Sequence, residues 1–142
     1  MPPDDCNLRN LVSESPSIRE LRAMNRRTFE LEAKPDGWAK ELRDLLTEDF
    51  QMRRANPALP VQSRDAMIEF IATQAPVERS LADESELVWR DSDIGVVVCV
   101  VFLPTIPGAA FRNIKLFVRS ATWRCQYWQV TKEDRWDESH AR

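Results

Sequence analysis

The sequence predicts an α+β fold in which about three helices precede an antiparallel sheet of four to six strands. The second half of the chain contains three β-rich runs, at 96–102, 111–119 and 123–131, and each is long enough for a full strand. The first half instead spaces its apolar residues with the period of a helix. Helices followed by an antiparallel meander is the chain order of a small fold that wraps a pocket.

The composition is that of one ordinary globular domain. A chain of 142 residues can bury a substantial core, and its 43% hydrophobic and 30% charged residues are typical values. The net charge of −3 argues against a nucleic-acid partner, which would require a basic excess. The sequence shows neither the pattern of a signal peptide nor a run of ~20 apolar residues that could span a membrane. We therefore expect a cytoplasmic protein without nucleic-acid or membrane partners.

The residues that identify metal and cofactor sites are scarce. Cys6, Cys99 and Cys125 do not have the spacing of a metal site, and Cys99 lies in an apolar run where it behaves as a small hydrophobe. With only 3 glycines the chain contains no phosphate-binding loop. We expect neither a metal nor a cofactor.

The chain divides into an arm, a domain and a tail. Residues 1–16 are polar and proline-rich and are expected to form a flexible arm, 17–131 form the domain, and 132–142 form a polar tail. Ser17 is predicted to cap the first helix, with Glu20 completing a capping box. The sequence predicts that this helix runs to about residue 34.

Two further helices and a short strand are predicted before the meander. The second helix should begin at Trp38, after the Pro-Asp-Gly break at 35–37. A short strand is expected at 50–54. Ser63 should cap a third helix over 64–73.

The central strand suggests a partner subunit. A strand is expected at 87–89, and another is possible at 77–81, before the run 96–103, which is apolar at every position. Such a strand is covered on both faces, and the helices can cover only one of them. We expect a homodimer through the outer face of the sheet. The alternative is that the N-terminal arm lies across this face.

Local motifs resemble the nuclear transport factor 2-like superfamily, in particular its uncharacterised SnoaL-like members with the ketosteroid isomerase-like fold. The similar segments are Trp38 with the junction 45–50 (LLTEDF), the strand 111–119 and the strand 123–131. The resemblance covers about 18–131. It implies a cone-shaped, strongly bent sheet whose open side is closed by the helices over an apolar pocket.

The resemblance also implies a reaction class. Enzymes of this superfamily use pocket carboxylates, tyrosines or histidines on small apolar substrates, which implies a cofactor-independent isomerase, cyclase or dehydratase, with secondary-metabolite biosynthesis as one setting. Here Arg53 and Arg54 stand where a carboxylate is usual, Phe29 stands near the usual phenol, and the only histidine is His140 in the tail. These departures exclude the histidine-dependent dehydratase mechanism and disfavour that of ketosteroid isomerase. The alternative is a non-catalytic small-molecule-binding or protein-interaction module of the same fold.

Strand alternation and the resemblance together predict the pocket lining. Trp128 should point into the cone and share its strand face with Gln126 and Arg124. Trp123 should lie on the opposite face, where it packs as a structural residue. Arg112 on the preceding strand, Arg54 on the first strand and Gln126 should be the polar groups of the lining. A slip of one residue would reverse each set. The predicted ligand-binding residues are Phe29, Trp38, Phe50, Met52, Ile114, Leu116, Gln126 and Trp128.

Three residues are candidates for catalysis. Arg112 could clamp a carboxylate, phenolate or enolate oxygen with its planar fork, or form a structural ion pair with Asp49, Glu69 or Glu86. Asp49 could serve as a general base if it is desolvated, or be an exposed residue at a helix–strand junction. Arg54 is the third candidate, as a donor at the end of the first strand.

Overall fold

A computed structural model describes residues 15–89 and 92–133. Within these ranges the chain forms helices and one six-stranded sheet, which confirms the predicted α+β class. The helices are α1 (Pro16–Leu31), α2 (Trp38–Leu45) and α3 (Arg64–Thr73). The strands are β1 (Leu46–Arg53), β2 (Gln62–Ser63), β3 (Ser80–Val88), β4 (Ile94–Phe102), β5 (Ala110–Arg119) and β6 (Trp123–Glu133).

The sheet has the strand order β2-β1-β6-β5-β4-β3. Strands β3 to β6 form the predicted antiparallel meander, and β2 pairs with β1 in the antiparallel direction. Strand β1, however, lies parallel to β6, so the sheet is mixed where the sequence predicted an antiparallel one. Parallel neighbours require a long crossover, which α3 and the rest of the meander supply.

Helix α1 begins two residues before its predicted start. Ser15, rather than Ser17, is the N-cap, and its Oγ accepts a hydrogen bond from Ile18 N at 3.4 Å. Pro16 then occupies the first helical position, where the missing N–H would have no partner in any case. The prediction of Ser17 as the cap was wrong because it overlooked the preference of proline for the first position of a helix.

Helices α2 and α3 begin where the sequence places them. Ser63 Oγ accepts a hydrogen bond from Ala66 N at 3.2 Å, as expected of the cap of α3. Strand β1 begins at Leu46, four residues earlier than predicted, because α2 leads directly into extended backbone. Residues 1–14 of the predicted arm and 134–142 of the predicted tail, with its histidine, lie outside the described residues.

The helices pack on one face of the sheet, and α1 approaches β4 closely. A Cβ atom built on Gly95 would lie 2.7 Å from Leu21 Cδ2, so any larger residue would require Leu21 or α1 to shift. The inner face of β4 presents Val97, Cys99 and Val101 to the core. These contacts fix the helical layer against the sheet.

A β-bulge in β6 decides which aromatic residues face inward. Cys125 pairs with Phe117 while Tyr127 pairs with Leu116, so Gln126 is an extra residue in the ladder. Trp123 and Trp128 are therefore both in the core, each 1% exposed. The prediction that they lie on opposite faces was wrong because simple alternation does not hold across a bulge.

Candidate functional site

A cavity of about 210 Å³ lies between the helices and the inner face of the sheet. Four of the residues predicted for the site line it, namely Phe29, Met52, Arg54 and Trp128. The other apolar lining residues are Ala55, Leu59, Phe70, Val101, Leu103, Phe111 and Val130, and the other polar ones are Glu32, Asn56, Arg79 and Asn113. The cavity is thus mainly apolar, with a few charged groups.

One wall of the cavity is aromatic. The rings of Phe29 on α1 and Trp128 on β6 meet edge to face, with centroids 5.3 Å apart and planes at 86°. Trp128 Nε1 donates a hydrogen bond of 2.6 Å to Asn113 Oδ1, which fixes the indole ring. This aromatic wall offers a rigid apolar surface to a ligand.

A buried carboxylate faces the same cavity. Glu32, directly after the last turn of α1, is 7% exposed, and its Oε2 lies 3.5 Å from Arg79 Nη2. Arg79 also donates from Nη1 to Val77 O at 2.9 Å. A negative charge at the C-terminal end of a helix is opposed by the helix dipole, and Arg79 offsets this.

Arg54 brings a cation to the cavity. Its Nε donates to Gln62 Oε1 at 2.9 Å, and its guanidinium carbon lies 4.3 Å from the centroid of Phe70. Its Nη2 is buried and has no hydrogen-bond partner among the described residues. Burial lowers the pKa of Arg54 from its ordinary value, and Glu32 partly counters this effect.

Lys115 on β5 is buried directly behind the aromatic wall. It is 1% exposed, and its Nζ donates to Asn25 Oδ1 at 2.8 Å and to Thr28 Oγ1 at 2.6 Å. The same atom lies 3.5 Å from the ring centroid of Phe29 and 3.8 Å from that of Trp128. Burial lowers the pKa of Lys115 to about 8. This residue was not predicted from the sequence.

Strand β5 presents to the core the face opposite to the one predicted. Asn113 and Lys115 point inward, whereas Ile114 is 37% exposed and Leu116 shares its outer face. Arg112 also lies on this outer face, with Nε 2.7 Å from Glu133 Oε1 and a side chain that is 39% exposed. The partner of Arg112 is thus none of the acidic residues considered from the sequence. Only knowledge of the strand register could have shown which residues of β5 face inward and which face outward.

The remaining predicted residues lie away from the cavity. Asp49 is exposed and accepts hydrogen bonds from Thr47 Oγ1 at 2.8 Å and Gln126 Nε2 at 3.1 Å, which lower the pKa of its carboxyl group. Phe50 is buried in the core without being among the cavity residues. Trp38 is half-buried and packs against the same core from α2.

Glu32, Arg79 and Lys115 are the charged residues of this region that sequence reasoning missed. Glu32 was predicted in the last turn of the first helix and Arg79 in the possible strand at 77–81. Charged side chains in such positions are usually exposed, so no local signal marks these two. Lys115 carried a signal, because it stands between two large apolar residues in a strand. The signal could be interpreted only after the structure showed which face of β5 points to the core.

Among residues 15–89 and 92–133, no group of three or more histidine, cysteine, aspartate or glutamate side chains is placed to hold a metal ion. No helix in the described part of the chain has the length and apolarity needed to cross a membrane.

Comparison with known proteins gives structural neighbours only. No protein-family model and no curated protein matches the sequence. A protein of unknown function from Pectobacterium atrosepticum superposes with a TM-score of 0.70 over 94% of this chain and 98% of its own, at 17% identity. An NTF2-like protein of unknown function from Silicibacter pomeroyi gives a TM-score of 0.64 over 84% and 98%, at 15% identity.

A proposed dehydratase of the NTF2-like family from Streptomyces avermitilis gives a TM-score of 0.65 over 82% of this chain and 95% of its own, at 17% identity. The chain has the nuclear transport factor 2-like fold. The sequence resemblance is thereby confirmed at the level of the fold, with the cone-shaped sheet and the helices that close its open side. At these identities the NTF2-like fold fixes neither a reaction nor a ligand.

Proposed function

We propose that the cavity binds a small apolar metabolite and that the protein is a cofactor-independent enzyme of the isomerase, cyclase or dehydratase type. The observation that carries this proposal is the carboxylate of Glu32 on the cavity wall, 7% exposed and at the end of a helix. Fold stability does not favour a buried negative charge in this position. Charged groups retained in an apolar cleft are candidates for acid–base work.

The charged residues have complementary roles in this proposal. Glu32 removes a proton from the bound ligand and returns it to another atom, as a general base and then a general acid. Arg54 donates hydrogen bonds to the ligand oxygen on which negative charge develops. Arg79 orients the Glu32 carboxylate through their contact of 3.5 Å. The aromatic wall holds the apolar part of the ligand.

The structural neighbours agree with this reaction class. Their names include a proposed dehydratase from Streptomyces avermitilis and a ketosteroid isomerase-like protein from Erwinia carotovora atroseptica. The catalytic groups differ from the sequence-based expectation, since Arg112 and Asp49 lie on the outer face and only Arg54 of the three lines the cavity.

The test is the exchange of α-protons of cyclohexanone in D₂O, followed by NMR with protein at catalytic concentration. Removal of the base by Glu32→Gln should slow the exchange by about 10²–10⁴-fold, the range for general acid–base catalysis. Glu30→Gln is the matched control, because Glu30 lies two residues earlier, is 61% exposed and contacts Arg27. Equal rates in the wild type and Glu32→Gln would contradict the proposal.

The second candidate function is a binding module without catalysis. It is supported by the described cavity wall, which contains no tyrosine and no histidine, and by Arg79, which compensates the charge of Glu32. Saturable binding of cyclohexanone with no proton exchange above the buffer rate would favour this module over the enzyme.

We also propose a homodimer through the outer face of the sheet. Pairing places Val96 beside Leu116 and Val98 beside Ile114 on this face, with Leu87 next to Val96. Leu87 is 57% exposed and Ile114 is 37% exposed, so the patch is apolar and open. Contiguous exposed apolar surface of this kind is typical of protein–protein contacts.

Sedimentation at micromolar concentration should give twice the chain mass, and Ile114→Lys should return it to the mass of one chain. Ile106→Lys is the matched control, because Ile106 is 38% exposed and lies outside the sheet. A wild-type protein that sediments as a monomer would contradict the dimer.

A further inference from the structure

The charges that line the cavity do not balance. Glu32 Oε2 and Arg79 Nη2 lie 3.5 Å apart, so the charges of these two residues compensate each other. The hydrogen-bond partner of Arg54 is the neutral amide of Gln62, at 2.9 Å. Among the described residues no carboxylate is recorded in an ion pair with the guanidinium of Arg54, and Glu32 only partly counters the effect of its burial. A desolvated charge of this kind at an apolar cavity is unfavourable unless a counterion is supplied.

Lys115 adds a second positive charge behind the aromatic wall. Its Nζ is 3.5 Å and 3.8 Å from the centroids of Phe29 and Trp128, and both of these rings line the cavity. Its hydrogen-bond partners, Asn25 and Thr28, are neutral. An anion in the cavity would be attracted by both Arg54 and Lys115, because charge interactions across a protein interior are stronger than in water.

The shape of the cavity restricts the anion. The Nη2 of Arg54 is buried and has no hydrogen-bond partner in the part of the chain that the structure describes. A guanidinium binds a planar two-oxygen anion best. The volume of about 210 Å³ equals the liquid volume of roughly seven waters and is below that of sites for drug-sized ligands. Apart from its charged groups and the amides of Asn56 and Asn113, the wall is aromatic and aliphatic. The ligand therefore has one charged end and a compact apolar body.

We propose that the ligand of this cavity is a small apolar monocarboxylate whose carboxylate group lies against Arg54. The inference rests on the proposed function for the cavity and names its substrate class. The apolar body then lies along Phe29 and Trp128, and Glu32 exchanges protons with this body rather than with the carboxylate. Arg54 in this arrangement binds the substrate before the reaction as well as during it.

The experiment compares benzoate with benzamide, which has the same shape and no charge, by isothermal titration calorimetry at neutral pH. Benzoate should bind at least about tenfold more tightly, the preference expected of a charge-assisted hydrogen bond. Arg54→Met should remove this preference and leave the affinity for benzamide within about twofold. Arg53→Met is the matched control, because Arg53 is the preceding arginine, at the end of β1, and its side chain is exposed.

Each other outcome identifies what fails. Equal affinities for benzoate and benzamide would overturn the carboxylate assignment, while the exchange test with a neutral ketone would still decide the proposed function. A benzoate preference retained in a folded Arg54→Met variant would overturn Arg54 as the anchor. If Arg54→Met does not fold, the wild-type ratio alone decides. Failure of both ligands to bind at millimolar concentration would overturn the inference.

Discussion

The buried amine of Lys115 should make the stability of the protein depend on pH in a defined direction. Burial holds its pKa at about 8 in the folded protein, against an ordinary value of 10.5. Between these values the unfolded chain binds the proton and the folded protein does not. Stability should therefore increase as pH rises from 8 to 10.5, because the unfavourable buried charge is lost.

The size of the effect follows from the two pKa values. At about 1.4 kcal/mol per pH unit, their difference amounts to about 3 kcal/mol of unfolding free energy. Below pH 8 both states carry the proton, so this contribution is constant there. The amine contacts Asn25, Thr28 and two aromatic rings. Lys115→Met therefore also changes the unfolding free energy through the lost hydrogen bonds, by an amount that does not vary with pH.

Urea unfolding of the wild type and of Lys115→Met, at steps from pH 7 to 10.5, measures the effect. The two buried thiols act in the opposite direction, since burial raises the pKa of Cys99 and raises that of Cys125 to about 12. The informative quantity is thus the difference between wild type and variant at each pH. It should change by about 3 kcal/mol in favour of the wild type over this range.

Lys40→Met is the control, because Lys40 is exposed on α2 and should give a constant difference from the wild type. A constant difference for Lys115→Met as well would refute the reasoning, because it would mean that the amine keeps its ordinary pKa in the folded protein. Burial would then have no effect on the pH at which the Lys115 amine loses its charge.

Two further predictions concern the packing and the capping of the fold. Gly95→Ala should destabilise the protein by about 1–3 kcal/mol, because the new methyl group would lie 2.7 Å from Leu21 Cδ2; a thermal or urea midpoint equal to the wild type would show that α1 can move away at no cost. Ser63→Ala should lower the unfolding free energy by about 1 kcal/mol through loss of the bond to Ala66 N, with Ser80→Ala as an exposed control.

The sequence determined the order and the type of the main elements. Hydrophobic period, the proline and glycine breaks and the Ser63 cap are local signals, and they placed α3 and the start of α2 at the observed residues. Three β-rich runs placed β4, β5 and β6, whereas β3 was expected only as two short segments at 77–81 and 87–89. The parallel pairing of β1 with β6 was not predicted, because it joins segments about 75 residues apart and no local signal encodes it.

Only the tertiary structure decided which side chains meet in the cavity. Side-chain direction in a strand alternates, so one residue of register, or the bulge at Gln126, moves a whole set to the other face. Arg112 was assigned to the pocket on this basis and lies outside, whereas its neighbour by three residues, Lys115, lies inside. Phe29, Met52, Arg54 and Trp128, which strand alternation and the family resemblance together assigned to the pocket, do line the cavity. The charged group of Glu32 and Arg79 joins the end of α1 to the segment before β3, and such long-range contacts arise only when the helices have packed on the sheet.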